Sequence, residues 1–165
     1  MSFGFLLAGF LATTNAGRVA LAREESKPSL PTVGLALACG AVLVVVATVF
    51  ADDLLDALSI SPESFRIAAG VVLAVTGIRT VVWPNAVAGP FAAVLVTPEL
   101  ACVALSFGAD EPAGRALGAA ALTLPIVAIA ATTRVRAPAV LAAQLLAALG
   151  IVVAVALAVS GMRDV

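Results

Sequence analysis

The 165 residues include no histidine and no tyrosine, one tryptophan and two cysteines, and only 12% of them are charged. Each scarcity removes a class of function. Without histidine there is no His-ligated metal site, and neither a metal nor a cofactor is expected. Cys39 and Cys102 form no CxxC pattern, so they read as apolar packing residues rather than redox groups. Nine basic and ten acidic residues give a net charge of −1, which leaves no basic surface for nucleic acid.

Apolar residues are what the chain has in excess. Hydrophobic side chains make up 62% of it, with a mean hydropathy of +1.17. An ordinary soluble domain is roughly half apolar and a quarter charged. A water-soluble globule of this size cannot hide so much apolar surface. The composition therefore predicts an all-α integral membrane protein in one transmembrane domain covering residues 1–165, with the lipid bilayer as its first partner.

A spanning helix takes about 20 mostly apolar residues, so six spans fit and eight do not. They are expected at 3–22, about 32–50, 67–83, after Pro84-Asn85 to about 107, 116–133 and 140–160. The connections are a polar turn at 23–31, an acidic stretch at 52–65, a tight turn at Pro84-Asn85, a second acidic loop at 108–115 and a basic turn at 134–138. Leu54, Leu55 and Leu58 predict a short interfacial helix in the first acidic stretch. The alternative joins spans three and four into one re-entrant element. Ala20-Leu21-Ala22 has the look of a signal-peptidase site, but no positive charge precedes the apolar run, and a retained first helix is expected. Trp83 reads as an interface anchor, Gln144 as a packing polar group, and Gly114–Gly118 as ordinary small-residue packing.

Orientation follows the Lys and Arg near the span ends. The odd connections carry Arg23, Lys27, Arg79, Arg134 and Arg136, against Arg66, Arg115 and Arg163 on the other face. This predicts a multi-pass cell-membrane protein with both termini outside.

A shift of 81 residues lays the first half on the second. Phe10 meets Phe91, Ala12 meets Ala93, Ala20 meets Ala101, Pro31 meets Pro112 and Val46 meets Val127. A shift of 80 suits the third span, where Ala68–Val75 and Ala148–Val155 agree at five of eight positions. Each half, about 1–83 and 84–165, holds three spans. Halves with an odd span number enter the membrane from opposite sides, so the repeats are expected to be inverted, a transporter architecture.

The register also superposes two unusual places. Span one contains Thr13, Thr14, Asn15, Gly17 and Arg18, and span four contains Thr97, Pro98 and Glu99. Arg18 falls on Glu99, and Gly17 on Pro98. Gly and Pro both continue a helix poorly, so breaks in the first and fourth spans are expected. A lone charge inside a span costs at least about 2.5–3.5 kcal/mol, which marks these eight residues as the candidate binding or coupling site. The bland reading is that Arg18 snorkels to the interface and that an Arg18–Glu99 pair only pins two helices.

Leu58-Ser-Ile-Ser-Pro-Glu-Ser-Phe-Arg-Ile-Ala-Ala-Gly-Val-Val-Leu73 resembles the MarC family, in which a Phe-Arg-Ile-Ala-Gly-Gly type motif opens the third span. Phe65, Arg66 and Gly70 carry that motif here. Asn15-Ala-Gly-Arg18 is similar to the family's Asn-Pro break in span one, and Thr97-Pro98-Glu99 sits near its Gly-Pro-Gly break in span four. Ala16 stands for the family's Pro, Ala69 for one Gly, and Thr97 and Glu99 for both glycines of the second break. The resemblance implies the LysE-type exporter superfamily, two inverted three-span halves, and in some members transport of small neutral amino acids.

The leading expectation is a secondary transporter or exporter of a small polar solute, driven by a gradient or by exchange, since no ATP-binding motif is present. The other readings are a transporter of an anionic lipid carrier, and a non-transporting accessory subunit within a homo-oligomer or larger membrane complex. Scarce polar residues inside the spans favour the accessory subunit. An intramembrane enzyme is not expected, because the spans hold no histidine and no paired acids.

Overall fold

The computed structural model describes residues 1–83, 91–132 and 136–163. Those residues are mostly helical, with no strand among them. In order, the helices are α1 (Phe3–Thr14), α2 (Ala16–Ser26), α3 (Leu30–Val49), α4 (Ala51–Leu58), α5 (Pro62–Val82), α6 (Ala92–Leu95), α7 (Pro98–Asp110), α8 (Ala113–Thr132) and α9 (Arg136–Arg163). Six helical stretches are long and apolar enough to cross a membrane: Phe3–Ser26, Leu30–Val49, Pro62–Val82, Ala92–Asp110, Ala113–Thr132 and Pro138–Arg163.

Three helices begin by one device. Ser29, Ser61 and Thr97 cap α3, α5 and α7 with their hydroxyls, and a proline follows in the first turn each time. A hydroxyl satisfies an orphan N–H there, and proline has no N–H to leave unsatisfied. This device corrects one expected boundary. The third span starts at Pro62, so Phe65 lies inside α5 rather than in the acidic connection, and Arg66 is within the helix too. The second acidic loop shrinks to Glu111 and Pro112, because α7 runs to Asp110 and α8 starts at Ala113. Arg136 to Pro138 belong to α9, not to a turn. The Pro84-Asn85 turn and Arg134 lie outside the described residues. The interfacial helix is α4, but its leucines divide: Leu55 is buried, while Leu54 and Leu58 are exposed.

The outer faces are apolar. Val71, Val75, Ile78 and Val82 make an exposed stripe along α5, and Leu122, Ile126 and Ile129 make another on α8. Spacings of three and four residues put each set on one helical face. Such faces suit hydrocarbon rather than water.

Inside, two apolar clusters lie at different depths. One gathers Val19, Leu21, Val33, Leu95 and Val127. The other gathers Leu6, Phe10, Leu100, Val103 and Phe107, with Phe10 set edge-on to Phe107 at 5.5 Å. Between these levels come residues 13–18 of the first span and 96–99 of the fourth.

Close helix approach is carried by glycines other than Gly114 and Gly118. A Cβ on Gly17 would fall 2.2 Å from the amide nitrogen of Ala143, and one on Gly70 would fall 2.7 Å from the Ala154 carbonyl oxygen. A Cβ on Gly118 would have no neighbour nearer than 4.0 Å, and one on Gly114 none at all. The small-residue pattern at 114–118 thus packs against nothing tightly among the described residues.

Candidate functional site

Asn15 stands between α1 and α2 with φ 35° and ψ 76°, in the left-handed region. Asn tolerates that region better than most residues because its short amide bonds locally. Here Asn15 Oδ1 accepts from the Arg18 amide at 3.1 Å, and Nδ2 donates to the Ala143 carbonyl at 3.1 Å. One side chain therefore starts α2 and ties it to α9. Gly17, two residues on, allows the close contact with Ala143.

In the fourth span, Val96 leaves the helical region and Thr97 is extended between α6 and α7. Thr97 Oγ1 accepts from the Leu100 amide at 3.2 Å. Pro98 opens α7 and puts Glu99 in its first turn, where the positive end of the helix dipole favours a carboxylate.

Arg18 and Glu99 meet: Nη1 lies 3.2 Å from Oε1, with the Glu99 side chain 6% exposed and that of Arg18 21%. The second Glu99 oxygen takes no hydrogen bond from the described residues. Glu99 borders a cavity of about 10 Å³ shared with Thr13, Asn15, Arg18, Thr76 and Thr80, a volume that admits about one water. The three threonines donate to carbonyls of their own helices: Thr13 to Gly9 at 2.9 Å, Thr76 to Val72 at 3.0 Å, Thr80 to Thr76 at 2.9 Å. Their free lone pairs make the cavity rich in acceptors.

Of the eight expected residues, Thr13, Asn15, Arg18 and Glu99 come together. Gly17, Thr97 and Pro98 shape the backbone beside them. Thr14 faces away, into an apolar groove. The resemblance residues sit elsewhere: Phe65 is half-buried near the start of α5, Gly70 packs on α9, and Arg66 forms a buried ion pair with Asp110. Sequence reasoning passed over Thr76 and Thr80. Their signal was present, as two hydroxyls four residues apart on one face of an otherwise apolar span.

No family model, no curated protein and no solved structure matches this chain, and nothing in those comparisons identifies a MarC family.

Proposed function

We propose that the protein is a secondary transporter or exporter of a small polar solute, a small neutral amino acid being the class in view, built as two inverted three-helix halves with interrupted first and fourth spans. The observation that carries this reading is the Arg18–Glu99 contact at 3.2 Å. The 81-residue register equates these two positions, and residues related by a two-fold axis touch only where the axis passes between them. The packing supports the same symmetry. Helix α3 packs on α7 as α8 packs on α1 and α2, and α5 packs on α7 as α9 packs on α1 and α2. Each of α3 and α5 also meets its own counterpart, α8 and α9. The register carries Val19 and Ala22 of one apolar cluster onto Leu100 and Val103 of the other.

In this mechanism Glu99 and the solute compete for Arg18. Protonation of Glu99 removes the charge that the guanidinium answers. Arg18 then binds the solute carboxylate, which an Arg fork matches well, beside the positive helix ends at Ala16 and Pro98. Loss of the proton on the other side restores the ion pair and expels the solute. The MarC likeness belongs to this proposal, as does a cell-membrane location with both termini outside.

Purified protein in liposomes, screened against amino acids with and without an imposed pH gradient, tests it. Uptake that follows the gradient is expected, and Glu99→Gln should abolish the gradient's effect while leaving exchange. Undiminished gradient-driven uptake by Glu99→Gln overturns the coupling role. No uptake of any amino acid under either condition overturns the solute class.

A further inference from the structure

A second cavity lies apart from the charged pair. It is a groove of about 240 Å³ between α3 and α8, level with the ends of α1 and α6. Gly40 and Val45 form one wall, and Ala121 and Thr123 the other. Val45 and Ala121 are exposed while Gly40 and Thr123 are buried, so the groove runs inward from the lipid-facing surface. Its residues lie near the middle of both spans, which sets its mouth in the hydrocarbon rather than at a water interface.

The inner end is not purely apolar. Thr14 Oγ1 donates to the Phe10 carbonyl at 2.6 Å and Thr123 Oγ1 to the Ala120 carbonyl at 2.7 Å. Each hydroxyl thus turns lone pairs, not a proton, toward the groove. The backbone of Leu95 adds a third acceptor, its carbonyl oxygen lying 3.4 Å from where a Cβ of Gly40 would stand. Glycine at 40 keeps that approach open. Among the described lining residues there is no charge and no side-chain donor apart from these two spent hydroxyls.

We infer that this groove binds a neutral amphiphile from within the bilayer, an alcohol with an apolar body, whose hydroxyl donates to Thr14, Thr123 or the Leu95 carbonyl. Acceptors with no matching donor select a ligand that brings the proton, and the uncharged walls exclude ionic headgroups, whose desolvation nothing here offsets. An apolar cavity of about 150 Å³ takes one benzene, so the groove holds a body of roughly eight to ten carbons. This site goes beyond the transport reading and stands without it.

The test uses the full chain in nanodiscs with a photoreactive diazirine decanol. Labelling is expected on α3 and α8 around Val45 and Ala121, with 1-decanol competing at least fivefold better than decane. Ala121→Trp should remove the label. Should that variant misfold, Thr123→Val supplies the second reading: the hydrocarbon still enters, and the preference for decanol over decane falls severalfold. Labelling spread evenly over the α5 stripe at Val71 and Val75, or equal competition by decane and decanol, overturns the proposal. Neither outcome touches Glu99-dependent transport, which is read separately in liposomes.

Discussion

Arg18 Nη1 lies 3.2 Å from Glu99 Oε1, across 81 residues of chain, with the carboxylate almost fully buried. Removing one partner of a buried pair leaves an uncompensated charge and typically costs about 3–5 kcal/mol, whereas replacing both costs less. Glu99→Gln and Arg18→Gln should each lower the unfolding midpoint in detergent, and the double variant should recover part of the loss. Additive losses in the double variant would mean that the two groups do not interact, and Arg18 would then be snorkelling to the interface.

The pair was legible in the sequence because charge inside an apolar run is expensive, and because one register laid Arg18 on Glu99. The span count was legible for the same reason, hydrocarbon being an exacting solvent. Helix starts were read less well. The Ser61-Pro62 cap pulls α5 five residues ahead of the first long apolar run, and only the capping chemistry signals that. The inward threonines were legible but passed over: Thr76 and Thr80 stand four residues apart on one face of α5. Which glycines matter was not legible at all, since close approach depends on how α2 and α5 cross α9.

Gly17 and Gly118 should therefore respond differently to one added methyl. At Gly17 the methyl would sit 2.2 Å from the backbone of Ala143, and at Gly118 it meets no atom within 4.0 Å except the Phe3 ring edge at that distance. Overpacking typically costs about 1–3 kcal/mol. Gly17→Ala should lose at least that much in equilibrium unfolding, and Gly118→Ala should stay within about 0.5 kcal/mol of the parent. A silent Gly17→Ala would mean that α2 and α9 are farther apart than the structure has them.

The proposed orientation, read from the Lys and Arg distribution, has the connections after the first and fifth spans on the cytoplasmic side and both termini outside. Single cysteines in a Cys39→Ala, Cys102→Ala background, labelled from each side of sealed vesicles, check this. A cysteine at Lys27 should react only with reagent admitted to the cytoplasmic side. A C-terminal cysteine should react from the opposite side. A C-terminus reachable only from the cytoplasm refutes the orientation and leaves the helix packing untouched.

Glu111, in the short connection between α7 and α8, gives stability a pH dependence of defined sign. Its carboxylate contacts the Met1 amino group and Arg115. The hydrogen bond from the amino terminus, then the charges of Arg115 and that terminus, hold its pKa below the ordinary value of 4.5, against an opposing push from burial. Unfolding frees the carboxylate to titrate at the ordinary value, so in acid the unfolded chain binds a proton that the folded chain refuses. The stabilisation is complete above pH 4.5. It declines as the pH falls below that value and is gone once the pH is under the folded pKa. Glu111→Gln should thus be less stable than the parent at pH 7, and the gap in unfolding temperature should close as the pH is lowered toward 3. Arg115→Gln should narrow the same gap from the parent side without abolishing it, because the amino terminus still holds the carboxylate. A gap that stays constant from pH 7 to 3 would show that Glu111 acts by packing alone and that its charge adds nothing to the fold.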